Sequence, residues 1–265
     1  MREITLGQYY KVDSVVHRLD PRTKLFFTVV FLIATLLAKN PFCFLLLICG
    51  MMIYIGLSKV PLTFMLRGLK PIILIILFSM LMHMFTRSGN VIWSLGWIRF
   101  TDLGVRNAVF TGLRLILMIL GASVLTYTTL PTDLADGMEK SMHWMEHLHV
   151  PVHDISMMMS IALRFIPVLV EELNRIMKVQ MSRGVSFDEG NVLVRLKKLV
   201  PVIVPLFVSA VRRSSDLAIA MDARCYHGGE GRTKLMPLRY QIRDYAAYVF
   251  LLLYVTGLLV LAIRF

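Results

Sequence analysis

Charge is the first thing this 265-residue chain is short of. Asp, Glu, Lys and Arg make up 17% of it, where an ordinary soluble domain carries about 25%. Acidic residues are the scarcer half, 17 against 29 Lys and Arg. So little polar surface cannot clothe a water-soluble globule of this size. Disorder is excluded too, because 57% of the residues are hydrophobic and mean hydropathy is +0.67. Cysteine is nearly missing: Cys43 and Cys49 lie in one apolar run and Cys225 is far from both. That leaves no disulfide framework and no Cys-x-x-Cys pair for zinc or redox chemistry. The common catalytic motifs are missing as well. There is no Gly-x-x-x-x-Gly-Lys-Ser/Thr, no Gly-x-Ser-x-Gly and no His-Glu-x-x-His, so the chain has no P-loop for ATP and offers no recognisable active site.

What the chain has instead is a series of apolar runs, at 25–38, 42–57, 72–85, 109–130 and 246–263. A bilayer crossing takes about 20 apolar residues, and shorter runs reach across with tilt and snorkelling flanks. The expected fold is therefore an all-α integral membrane protein with about five transmembrane helices. The first run follows a basic lead containing Arg2, Lys11, Arg18, Arg22 and Lys24, and it reads as a retained span rather than a signal peptide. A net charge of +12 would suggest nucleic acid in a soluble protein. In a membrane protein it reads as loops held on the cytoplasmic side, and no nucleic-acid partner is expected.

Between the fourth and fifth runs lies a different kind of segment. A short helix is expected at 132–147, capped by Thr132 or Asp133. From 155 to 181, Ile155, Met158, Ala162, Phe165, Leu169, Leu173 and Ile176 recur at helical spacing, with Arg164, Glu171, Glu172, Arg175 and Lys178 on the other face. A second such stripe runs from 192 to 221, where Pro201 and Pro205 are expected to kink or interrupt it. The organisation expected is a lead with four spans at 1–130, a helical block at 131–243 and a last span at 244–265. The block holds fifteen Lys and Arg, the 58–71 loop holds three with no acid, and the 86–104 loop sets Arg87 and Arg99 against Asp102. The positive-inside rule then puts the N-terminus and block in the cytoplasm and the C-terminus outside.

Four histidines, His143, His147, His149 and His153, fall close together, but they complete no tetrahedral ligand set and no metal site is expected. Arg106 and Arg114 share a face of the fourth run. Arg106 reads as an interfacial residue and Arg114 as a snorkelling or internally paired one. Two triplets stand out more. Ser182-Arg183-Gly184 closes the first long amphipathic helix and Ala223-Arg224-Cys225 closes the second. A cation at a helix C-terminus gains about 0.3–1 kcal/mol from the macrodipole. An arginine at an exposed tip is equally suited to a bidentate contact with a partner's carboxylate.

The lead Ser14-Val15-Val16-His17-Arg18-Leu19-Asp20-Pro21-Arg22-Thr23-Lys24-Leu25 and the two triplets together resemble the T component of energy-coupling factor (ECF) transporters, the CbiQ-like cobalt-permease family, over nearly the whole chain. The triplets match that family's paired Ala-Arg-Gly signatures at the ends of its coupling helices. Ser182 stands for the usual alanine. Cys225 stands for the usual glycine, which disfavours a left-handed turn there and predicts the turn two residues on, near Gly228-Gly229. The resemblance implies a prokaryotic plasma-membrane protein that is not itself an enzyme. It implies no cofactor in this chain, with ATP and magnesium held by two ABC-type ATPase partners. It also implies a small membrane S component that binds a vitamin and a pair of crossing helices that couple the two. Arg183 and Arg224 would engage the ATPases, and Met157, Met158 and Met159 would contribute an adaptable S-component surface. The alternatives are a dedicated cobalt or nickel importer of the same family and a stand-alone membrane carrier, for which only His83, Arg114 and Thr126 offer polar groups within the runs. A membrane-embedded enzyme would have only Asp133 and Asp136 to work with.

Overall fold

The computed structural model describes residues 9–86, 91–95, 98–142, 145, 148, 150–187, 189, 191–228 and 238–264. The chain divides into two compact units, Gly7–Gly137 with Leu238–Phe265, and Met138–Pro237 with Met1–Leu6.

The first unit is a helical bundle. It contains α1 (Pro21–Leu37), α2 (Pro41–Ser58), α3 (Leu62–Leu69), α4 (Ile73–Thr86), α5 (Asp102–Thr128) and α9 (Ile242–Arg264), and α6 (Pro131–Ser141) begins in it. Proline opens α1, α2 and α6, where its missing N–H costs nothing. The 27-residue α5 is the hub and packs against α1, α2, α3 and α4. Close approach to it depends on glycine. A Cβ at Gly112 would lie 2.6 Å from the Met80 sulfur of α4, and one at Gly121 would lie 2.9 Å from the Phe31 ring of α1. The core joins Phe44, Leu47, Met51 and Ile55 of α2 to Met65 of α3 and to Leu117 and Val124 of α5. Outward faces are apolar, with Leu37, Leu74, Leu252 and Ile263 all more than two-thirds exposed. That inversion suits a lipid solvent.

The spans differ from expectation in two places. The loop expected at 58–71 contains α3, which meets α4 at a bend of 62°; taken together the two are long and apolar enough for one crossing. Pro71 sits at that break, and α3 buries Met65 and Leu69. The 86–104 connection carries a two-stranded antiparallel hairpin, β1 (Val91–Leu95) and β2 (Ile98–Thr101). The fold class remains that of a helical membrane protein.

The second unit is built on α7 (Val152–Ser182) and α8 (Val192–Asp222), each of 31 residues and so about 45 Å long. The expected interruption of the second helix does not occur: α8 runs unbroken through Pro201 and Pro205, and α7 through Pro167. The short helix, α6, stops at Ser141 rather than at 147. By length and apolarity α7 also qualifies as a crossing helix, alongside α2, α5, α9 and the broken α3–α4 pair. Apolar residues run along its whole length, and four of its six charges, Glu171, Glu172, Arg175 and Lys178, follow Pro167. At 17 residues, α1 is shorter than these.

Candidate functional site

The two arginine triplets sit on helix ends of the same construction. At the end of α7, Gly184 takes φ +88°, Val185 N–H donates to the Gln180 carbonyl (3.1 Å) and Gly184 N–H to that of Met181 (2.9 Å). At the end of α8, Cys225 takes φ +56°, Tyr226 N–H donates to the Met221 carbonyl (3.1 Å) and Cys225 N–H to that of Asp222 (2.9 Å). These are paired Schellman-type ends with the left-handed residue directly after each arginine. The turn expected to slip toward Gly228-Gly229 therefore stays at Cys225. The two closing hydrogen bonds hold a Cβ-bearing residue where glycine is preferred. Arg183 and Arg224 are both exposed; their backbone N–H groups close the helix ends, and neither guanidinium makes a hydrogen bond or ion pair with the described residues.

The contacts within this unit set the tips apart. Gln180 reaches the Pro201 carbonyl (3.4 Å), and Arg213 pairs with Glu172 at 3.6 Å, so α7 and α8 run antiparallel. Lys198 closes the connection by donating to the carbonyls of Ser186 (2.8 Å) and Glu189 (3.0 Å). The Arg183 tip thus lies beside the start of α8, and the Arg224 tip lies a helix length away. Near Arg224 the helices part around a cavity of about 740 Å³ that Met157, Ile161, Arg164, Phe165, Leu217 and Met221 help to line. Of the methionine stripe, Met157 is half-buried against this cavity, while Met158 and Met159 are exposed.

Of the histidines, His143, His147 and His149 lie outside the described residues. His153 faces Glu139 (3.2 Å), which also accepts from Ser156 Oγ (2.6 Å). No group that could hold a metal occurs among the described residues. Asp133, in the first turn of α6, is exposed, and partial desolvation by its surroundings holds its carboxyl above the usual carboxylate range while Lys24 pulls the other way. Arg114 is half-buried and pairs within the bundle. It donates to the carbonyls of Thr35 (3.2 Å) and Ala38 (2.6 Å), which lie at the C-terminal end of α1, where a cation is favoured. Arg106 lies over the Phe110 ring at 5.6 Å.

The lead folds into a polar knot that sequence reasoning noted only as a resemblance. Asp20 caps α1 by accepting from Arg22 N (3.0 Å). Lys24, 3% exposed, donates to the carbonyls of His17 (3.0 Å) and Thr128 (2.9 Å). Arg22 donates to the Leu238 carbonyl (3.0 Å) and stacks on Tyr240 at 4.6 Å. His17 Nε2 faces the Tyr10 carbonyl (2.9 Å), an acceptor only, so the proton is on Nε2 and Nδ1 accepts from Ser14 Oγ (2.7 Å). Burial lowers the affinity of this imidazole for a second proton. Asp244, which sequence reasoning missed, completes the knot. It accepts from Asp20 N and from Gln241 N, both at 2.8 Å.

Residues 13–235 match the family described as CbiQ, cobalt transport protein. The chain is 45% identical over 240 residues to the energy-coupling factor transporter transmembrane protein EcfT of Ruminiclostridium cellulolyticum, covering 91% of this chain and 90% of that one. It is 44% identical to the protein of the same name from Thermosediminibacter oceani over 98% of this chain and 96% of the relative. With the Bacillus subtilis protein of that name it shares 44% identity over 95% and 96%. A family match across most of the chain, backed by full-length relatives named as transmembrane transporter proteins, makes this multi-pass membrane protein a member of the CbiQ family.

Proposed function

We propose that this chain is the transmembrane coupling component of an ECF-type importer, carrying motion from two ATPase subunits to a small membrane S component that holds a vitamin. The observation that carries this reading is the repeated tip: the same cap with an exposed arginine whose guanidinium has no partner among the described residues, twice, at opposite ends of an antiparallel helix pair. A guanidinium held at a rigid cap loses little freedom when it docks bidentately on a carboxylate. Two such tips roughly 45 Å apart offer one contact to each ATPase. Closure of the ATPases on ATP, with magnesium held by those partners, moves the tips. The α7–α8 contact turns that motion into a shift of the Met157–Met159 face, and the S component tilts. Coupling of this kind needs an element with discrete arrangements that both sites bias. The chain itself catalyses nothing on this reading. The 131–243 block faces the cytoplasm with the N-terminus, and the C-terminus lies outside. The description of the family as cobalt transport favours, as a second reading, a dedicated metal-ion importer built the same way.

The test is the double variant Arg183→Ala, Arg224→Ala in native membranes. It should insert normally and lose both ATPase co-purification and uptake; uptake at the parental rate refutes the proposal. Mass spectrometry of the co-purified small membrane partners separates the vitamin reading from the metal-ion reading.

A further inference from the structure

Where α1 begins, α2 ends and α9 begins, the bundle has an open groove of about 200 Å³, the volume of roughly seven waters. Ile53 and Leu57 of α2 and Phe250 of α9 line it, each about half exposed, and Ala247 forms part of its wall. Two hydroxyls in this groove are anomalous. Buried threonines elsewhere in α1 and α5 bond back to the carbonyl four residues earlier: Thr28 to Lys24, Thr35 to Phe31 and Thr128 to Val124. Thr23, in the first turn of α1, has no helical carbonyl four residues behind it. Its Oγ1 has no partner among the described residues, although the residue is only 2% exposed. Tyr254 and Tyr127 donate to the carbonyls of Leu46 and Phe64, whereas the buried Tyr54 hydroxyl is without a partner. Both Thr23 and Tyr54 line the groove.

Charge at the groove has one sign. Lys24 lines it with its stem, but its ammonium is committed to the His17 and Thr128 carbonyls. Arg243, also on the lining, is exposed and makes no hydrogen bond or ion pair with the described residues. A free guanidinium, unpaired hydroxyls and an apolar channel open to the membrane match one kind of molecule from head to tail. We infer that this groove binds one anionic glycerophospholipid in the leaflet at the N-terminal end of α1, its phosphate on Arg243, an ester oxygen accepting from Thr23, and an acyl chain along Ile53, Leu57 and Phe250. Buried hydroxyls lacking a protein acceptor are otherwise unfavourable in a membrane interior, and a lipid ester supplies the acceptor.

Native mass spectrometry of the full chain, titrated with phosphatidylglycerol and separately with phosphatidylcholine, tests this. One phosphatidylglycerol should be retained per chain in preference to phosphatidylcholine. Arg243→Gln should weaken retention about tenfold, the scale of one lost charge-assisted hydrogen bond. Ala247→Trp should abolish retention by filling the channel, while Leu259→Trp, on the lipid-facing side of α9 away from the groove, should not. Thr23→Val preserves shape and should weaken retention several-fold even if the tryptophan variant fails to fold. Equal retention of both lipids, retention unaffected by Arg243→Gln and Thr23→Val, or a protein partner lost in Ala247→Trp while the lipid stays, overturns the inference.

Discussion

Asp244→Ala is the perturbation that most directly tests how the bundle is tied together. The carboxylate is 1% exposed and holds two backbone N–H groups from opposite ends of the sequence, Asp20 N and Gln241 N. The bond to Gln241 is half of a capping box, the third residue of α9 reaching back to the residue before the helix. The bond to Asp20 extends the same service to the cap of α1. A hydrogen bond to a charged group contributes about 1.5–3 kcal/mol, so removing both should cost about 3–6 kcal/mol. That is a large share of the 5–15 kcal/mol typical of whole domains. Thermal unfolding of the full chain in mild detergent, followed by aggregation or cysteine accessibility, provides the measurement, with buried Cys43 as the reporter. Asp244→Asn should recover at most half the loss, because its NH₂ would face an N–H donor. Asp216→Ala, at an exposed position of α8, should move the transition by no more than about 0.5 kcal/mol. An Asp244→Ala transition coinciding with that of the parent would refute the view that one carboxylate fastens the first and last spans together.

The two helix tips make predictions of opposite sign. Cys225→Gly removes a Cβ from a left-handed position and should stabilise the tip by about 1 kcal/mol without loss of uptake, whereas Gly184→Ala imposes that penalty; thermal unfolding and uptake read both. His17 should make stability pH-dependent. Its folded state favours the neutral imidazole, so its contribution is complete above the ordinary value near 6.5 and is lost as pH falls through that value toward the lower folded one. His17→Gln should flatten the unfolding profile between about pH 7 and pH 5; an unchanged slope would assign the dependence elsewhere.

Apolar length made α2, α4, α5 and α9 legible in the sequence, because a bilayer imposes it on each helix separately, but it misjudged two others: α1 is shorter than the crossing helices, and α7, expected in the cytoplasmic block, is long and apolar enough to cross. What stayed hidden depended on pairs of distant residues. Nothing in the sequence sets Met80 beside Gly112 or Phe31 beside Gly121. Arg114 could be narrowed to snorkelling or internal pairing, but the Thr35 and Ala38 carbonyls it meets lie more than seventy residues away. A kink or an interruption was the expectation at Pro201 and Pro205, and α8 passes both without interruption.

The Cys225 turn shows where a pattern carries more than its individual residues do. Judged alone, cysteine argues against a left-handed end. The N–H groups of Cys225 and Tyr226 nevertheless bond back to Asp222 and Met221, and the chain accepts the strain. Strain that the surrounding structure overdetermines tends to collect where geometry is under functional demand. An unpartnered arginine directly before each left-handed residue gives that demand a physical form. A tip that must present a guanidinium to another protein needs the helix to stop at one residue, and a turn displaced to Gly228 would have left Arg224 within the last turn of α8. The same logic separates the two kinds of arginine in the chain. Arg22 and Arg114 spend their donors on carbonyls inside the bundle and hold it together. Arg183 and Arg224 have no such partner among the described residues and stand on rigid ends, as the proposed lever role requires.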